Sequence, residues 1–83
     1  MQADDIKRMI EVGLPGSVVE VSGDGTHFEA MVICDAFLGK NPLARHRLVY
    51  ATLGDKMGGV IHALSITALT PEEWERQRGR TLL

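Results

Sequence analysis

The sequence predicts an α+β domain with the element order α-β-β-α-β-α and a three-stranded mixed sheet. Three observations carry that prediction. Two short apolar runs flank the glycine-rich turn Gly23-Asp24-Gly25, as in a β-hairpin. A helix-period stretch opened by Asn41-Pro42 separates the second run from a third. Helix-start signals stand before the first run and after the last.

In chain order, Asp4 or Asp5 can cap a first helix whose apolar positions Ile6, Met9 and Ile10 keep helical spacing. Gly13 and then Leu14-Pro15-Gly16 stop it. Ser17 to Ser22 reads as the first strand, with Val19 and Val21 on one face. The second strand, Phe28 to Cys34, is apolar on both faces except at Glu29, the pattern of a central strand covered on two sides. Pro42 to Leu53 reads as a helix, with Leu43, His46 or Arg47, Val49, Tyr50 and Leu53 as its packed stripe. The third strand is Ile61 to about Thr67. Thr70-Pro71-Glu72-Glu73 then starts the last helix: Thr70 caps it, Pro71 suits the first position and Glu73 completes a capping box. Trp74 is placed to pin this helix down, and residues 79–83 are expected to form a frayed tail. The whole of residues 1–83 is read as a single domain.

The first two strands form a hairpin and so run antiparallel. Strand, helix and strand then form a right-handed crossover, which makes the second and third strands parallel neighbours. The second strand in sequence is therefore the middle strand of the sheet.

Composition narrows the function classes. Of 83 residues, 45% are hydrophobic, enough for one core near the lower size limit of unstapled domains. Nine basic and eleven acidic residues leave a net charge of −2, which argues against a dedicated nucleic-acid binder with a basic surface overall. The single cysteine excludes an internal disulfide framework. No stretch has the pattern of a signal peptide or the roughly 20 apolar residues of a membrane span. A soluble cytoplasmic protein without membrane association is the expectation.

The strand order gives two histidines a common address. His27 and His62 stand at the N-terminal ends of adjacent parallel strands, about 4.8 Å apart by strand spacing. Two imidazoles can ligate a shared ion or cluster, but two ligands are too few for a closed tetrahedral site, so a metal role requires donors from outside the chain. Each histidine also has a plain structural reading. His62 shares the parity of Leu64 and Ile66 at the margin of the core, and His27 can simply end a polar turn. Cys34 cannot join them: seven residues along a strand from His27 is about 23 Å. It reads as a buried strand cysteine with no histidine placed to activate it, and no catalytic residue is identified. Lys40, Arg45 and Arg47, with His46, form a basic cluster at the opposite end of the sheet. It is a solvated helix face or, alternatively, a phosphate or nucleic-acid contact at a helix N-terminus.

Five segments together resemble the BolA family. They are Gly23-Asp24-Gly25-Thr26-His27-Phe28, Asp35-Ala36-Phe37-Leu38-Gly39-Lys40, Arg45-His46-Arg47-Leu48-Val49-Tyr50, Ile61-His62-Ala63-Leu64-Ser65 and Thr70-Pro71-Glu72-Glu73-Trp74. The first of these resembles the family's IbaG-like branch. The resemblance covers nearly the whole chain in order, and it implies an α-β-β-α-β-α fold related to the class II KH domain, in agreement with the order derived above. It also implies a non-enzymatic partner for a monothiol glutaredoxin with a CGFS active site, the pair sharing a 2Fe–2S cluster with glutathione; no cofactor is expected on the isolated chain. On that resemblance, His62 and His27 match the family's cluster ligands, and the second helix, third strand and segment after Thr70 form the docking surface. A second copy of the chain is a further candidate partner. The alternative implied by the family is a DNA-binding transcriptional regulator of stress and morphology genes, for which Lys40, Arg45 and Arg47 are the candidate contacts. Against it, the chain lacks the GXXG loop of KH domains.

Overall fold

The computed structural model describes residues 1–57, 59, 61 and 63–81, with the side chains of residues 80 and 81 excepted. Its elements follow the predicted order: α1 (Ala3–Gly13), β1 (Val18–Gly23), β2 (His27–Ile33), α2 (Pro42–Leu53), β3 (Ala63–Leu69) and α3 (Pro71–Thr81), with short 3-10 turns at Asp35–Phe37 and Gly54–Lys56. The sheet order is β1-β2-β3. β1 pairs antiparallel with β2, and β2 pairs parallel with β3 from His27 opposite Ala63 to Ile33 opposite Leu69.

The helix boundaries follow local chemistry. Gln2, and not Asp4 or Asp5, occupies the cap of α1; Asp5 lies inside the first turn, and its carboxylate accepts the Gln2 N–H at 2.8 Å. Asn41 caps α2, its side-chain oxygen accepting from the Ala44 N–H at 2.8 Å, with Pro42 at the first helical position. Thr70 and Glu73 form the expected capping box: the Glu73 N–H donates to the Thr70 hydroxyl at 3.2 Å, and the Thr70 N–H donates to Glu73 Oε1 at 2.8 Å. α3 runs to Thr81, and residues 82 and 83 of the tail expected from position 79 lie outside the described residues.

The core lies between one face of the sheet and α1 with α2. Ile6, Ile10 and Leu14 meet Val19, Phe28, Ala30 and Val32, and Phe37, Val49, Leu53 and Ile61 close the cluster. The opposite sheet face corrects an expectation. Glu20, Ser22, His27 and Glu29 are exposed, so β2 is not covered on two sides along its length; burial on both faces begins only at Ile33 and Cys34. An antiparallel hairpin tolerates one wet face, and here the wet face continues across the parallel pair through Ser65 and Thr67. β3 also starts later and ends later than predicted, at Ala63 and Leu69; Ile61 instead makes an isolated bridge to Met57.

α2 is rotated from the stripe read in the sequence. Val49 and Leu53 are buried as expected, but Leu43 and Tyr50 are exposed, and Arg45, Leu48 and Thr52 turn inward. One cause is the approach of α1 to α2. A Cβ on Gly13 would stand 2.5 Å from Thr52 Cγ2, so glycine is what lets the helices close at that point. The other cause is Arg45, described below.

Candidate functional site

His27 is the first residue of β2, and the loop before it fixes where the strand begins. The Asp24 carboxylate accepts the N–H groups of Thr26 and His27, each at 2.9 Å. These bonds hold its pKa below the usual carboxylate range, the bond from His27 first and that from Thr26 second. The imidazole of His27 is exposed and has no hydrogen-bond partner among the described residues. The parallel register sets His27 opposite Ala63, the residue that follows His62 in the sequence. His62 itself lies outside the described residues. Among the described residues, no three histidine, cysteine, aspartate or glutamate side chains come together as a metal-binding group. Cys34 is buried beyond the far end of β2, as expected from its distance along the strand.

An imidazole bonded to no described residue, at a strand end beside a hydrogen-bonded turn, is a competent nitrogen donor for iron or zinc. It is one donor, and a site of four needs the remainder from elsewhere.

The basic cluster at the other end of the sheet does not form one solvent-facing patch. Arg45 is only 13% exposed and spends its guanidinium on the fold. Nε donates to the Lys40 carbonyl at 2.8 Å, and Nη1 donates to the Ala68 carbonyl at 3.0 Å. Nη1 and Nη2 grip the two Glu73 carboxylate oxygens at 2.6 and 3.2 Å, the fork geometry that arginine alone supplies. The guanidinium carbon lies 6.0 Å from the Phe37 ring centre. Arg45 first and the Thr70 N–H second pull the Glu73 pKa down from 4.5 to about 2. The candidate nucleic-acid contact Arg45 is therefore the tie between α2, β3 and α3, and Lys40 and Arg47 are the cations left exposed at the start of α2. Glu73 was read in the sequence only as a capping residue. Its spacing of three from Thr70 revealed that role, but nothing in the sequence revealed a partner 28 positions away.

A three-stranded mixed sheet backed by two helices, with a histidine opening its central strand, makes this a small α+β domain. The "BolA-like protein" family model matches residues 13–73, and the chain belongs to the BolA family. It is 35% identical over 79 residues to the acid stress protein IbaG of Escherichia coli K12, spanning 94% of each. It is 44% identical over 54 residues to the DNA-binding transcriptional regulator BolA of Vibrio cholerae, covering 65% of this chain and 51% of that one. It spans only 38% of human BolA-like protein 1, with 50% identity over 52 residues. Among solved structures, a bolA homologue from Coxiella burnetii superposes with a TM-score of 0.84 at 52% identity, covering 92% of this chain and 99% of that one. No described helix is long and apolar enough to cross a membrane.

Proposed function

We propose that the protein is an iron–sulfur adaptor: it joins a monothiol glutaredoxin of the CGFS type and helps ligate a bridging 2Fe–2S cluster through His27 and His62. The glutaredoxin thiolate and glutathione supply the remaining donors. The observation that carries this reading is the exposed imidazole of His27 at the start of β2, bonded to no described residue and in register with the start of β3. An imidazole that no described residue bonds keeps its ring nitrogens available to a metal. The donor set fits the group, since imidazole is a known substitute for thiolate on one iron of a 2Fe–2S centre. When bound, the cluster supplies one-electron chemistry or is passed on as cargo. The chain itself presents nitrogen donors and a docking face and performs no reaction. Imidazole ligation raises the cluster potential relative to all-thiolate ligation.

A second reading, DNA binding, draws support from the name of the Vibrio relative. In this chain it would rest on Lys40 and Arg47, because Arg45 is committed to Glu73.

The test is anaerobic co-purification with a CGFS glutaredoxin and glutathione, comparing visible spectra of wild type, His27→Ala and His62→Ala. Each substitution is expected to alter or abolish the cluster spectrum. A spectrum indifferent to both would remove the ligand assignment. Duplex DNA affinity that survives physiological salt and falls in Lys40→Ala or Arg47→Ala would favour the second reading.

A further inference from the structure

The turn before β2 is organised around a single carboxylate. Asp24 Oδ1 accepts the N–H groups of Thr26 and His27, and the Asp24 N–H donates to the His27 carbonyl at 3.3 Å. Both backbone polar groups of His27 are thus bonded to one residue. The flanking glycines make this closure sterically accessible. A Cβ on Gly23 would collide with the His27 carbonyl oxygen and stand 2.9 Å from the Phe28 Cα, and Gly25 has a φ of +101°. On the other side, strand pairing holds His27 opposite Ala63 and Phe28 opposite both Gly23 and Leu64. The backbone at position 27 is therefore clamped from both directions while its ring is bonded to no described residue.

We propose that Asp24 is a positioning residue for His27. Its carboxylate fixes the Thr26–His27 peptide, and with it the direction of the His27 Cα–Cβ bond from which the imidazole projects. The donor is then set before the partner arrives. This rests on the reading of His27 as a ligand. An ionised carboxylate is suited to the task because it accepts two N–H bonds at once and binds them more strongly than a neutral acceptor does. Asp24 forms no ion pair among the described residues, so its observed interactions all lie within this turn. Groups hydrogen-bonded to a metal ligand's own side chain commonly contribute ten- to a hundredfold to metal affinity, and Asp24, which holds only the backbone of His27, belongs at the low end of that range.

The test compares Asp24→Ala and Asp24→Asn with wild type and His27→Ala by two measurements. The first is amide hydrogen exchange on the isolated chain. The second is the rate of cluster loss, followed by visible absorbance, from the complex with a CGFS glutaredoxin and glutathione. Asp24→Ala is expected to speed exchange at the Thr26 and His27 amides and to release the cluster roughly tenfold faster. Its melting temperature should stay close to that of wild type. Asp24→Asn keeps an acceptor oxygen and should restore most of both properties. Wild-type cluster retention in Asp24→Ala, with retention lost in His27→Ala, would overturn the proposal and leave the ligand reading intact. Retention unchanged in His27→Ala as well would remove the ligand reading, and this proposal with it. If Asp24→Ala is unfolded at the assay temperature, Asp24→Glu, which keeps the charge but displaces the carboxylate from the two N–H groups, decides. Faster exchange at the two amides with faster cluster loss supports positioning, and faster exchange with unchanged retention overturns it.

Discussion

At the end of the sheet where β2 and β3 begin, one exposed carboxylate ties down a turn, and the imidazole beyond it is bonded to no described residue. At the end where the same strands finish, Arg45 alone joins two backbone carbonyls, a carboxylate and an aromatic face. The polar groups at the second end are spent on one another, and long-range bonds lock three elements together. Apart from the strand pairing, the first end uses side-chain bonds that are local, spanning three residues or fewer. Rigid support at one end and an available donor at the other is the arrangement expected of a site that is completed by a partner, since the unsatisfied group must sit where burial does not penalise it.

The largest effect should come from breaking the locked end. Arg45→Ala leaves the Ala68 and Lys40 carbonyls without their donor and Glu73 without its counter-charge. It should cost about 2 kcal/mol, because a mostly buried hydrogen-bonding cation is removed from partners that stay in place. In a domain of this size that lowers the melting temperature by about 10 °C. Trp74, half-buried on α3, reports the loss of docking as a red shift in its fluorescence. Arg45→Lys should recover little, since an ammonium cannot span both Glu73 oxygens and a backbone carbonyl. The exposed pairs Arg76–Glu72 and Arg78–Glu75 on α3 offer the contrast, and breaking either should be close to neutral.

A smaller effect is read against pH. Glu73 titrates at about 2 in the folded chain and near 4.5 when unfolded. A depressed carboxylate stabilises fully above the unfolded value, and its contribution fades as pH falls through the folded one. Glu73→Gln should therefore be less stable than wild type at pH 6, with the gap in melting temperature narrowing between about pH 4.5 and 2. A gap that stays constant across that range would mean that the Arg45 pairing contributes nothing through charge.

The same contrast explains what was legible in the sequence. Most of what is built from near neighbours is legible, the Gln2 cap of α1 excepted: the Asn41-Pro42 and Thr70–Glu73 helix starts, the hairpin at Asp24, and the strand order that follows from a hairpin and a crossover. What depends on contacts distant in sequence is not. α2 was read with Leu43 and Tyr50 inward because an apolar stripe is the usual inward face. The helix is instead turned so that Arg45 reaches Glu73 and Thr52 seats against Gly13. A charged residue in an inward position carries no periodic signal, and Gly13 reads as a helix stop whether or not another helix crosses it. The dry second face assigned to β2 failed for a related reason. Met31 looks like core by type, yet it is only half-buried, and the strand's own Glu29 marks the face that stays wet until Ile33.

The smallest stability effect belongs to the other end, and its smallness is the point. His27→Ala removes an exposed side chain that is bonded to no described residue, so the fold should change in stability by less than about 0.5 kcal/mol. Urea unfolding of the isolated chain measures this directly. A loss of 1 kcal/mol or more would mean that the imidazole is already satisfied by the protein and is a structural group. Near-neutrality in the isolated chain, together with a loss of stability confined to the complex, is the signature of a residue whose partner lies outside its own chain.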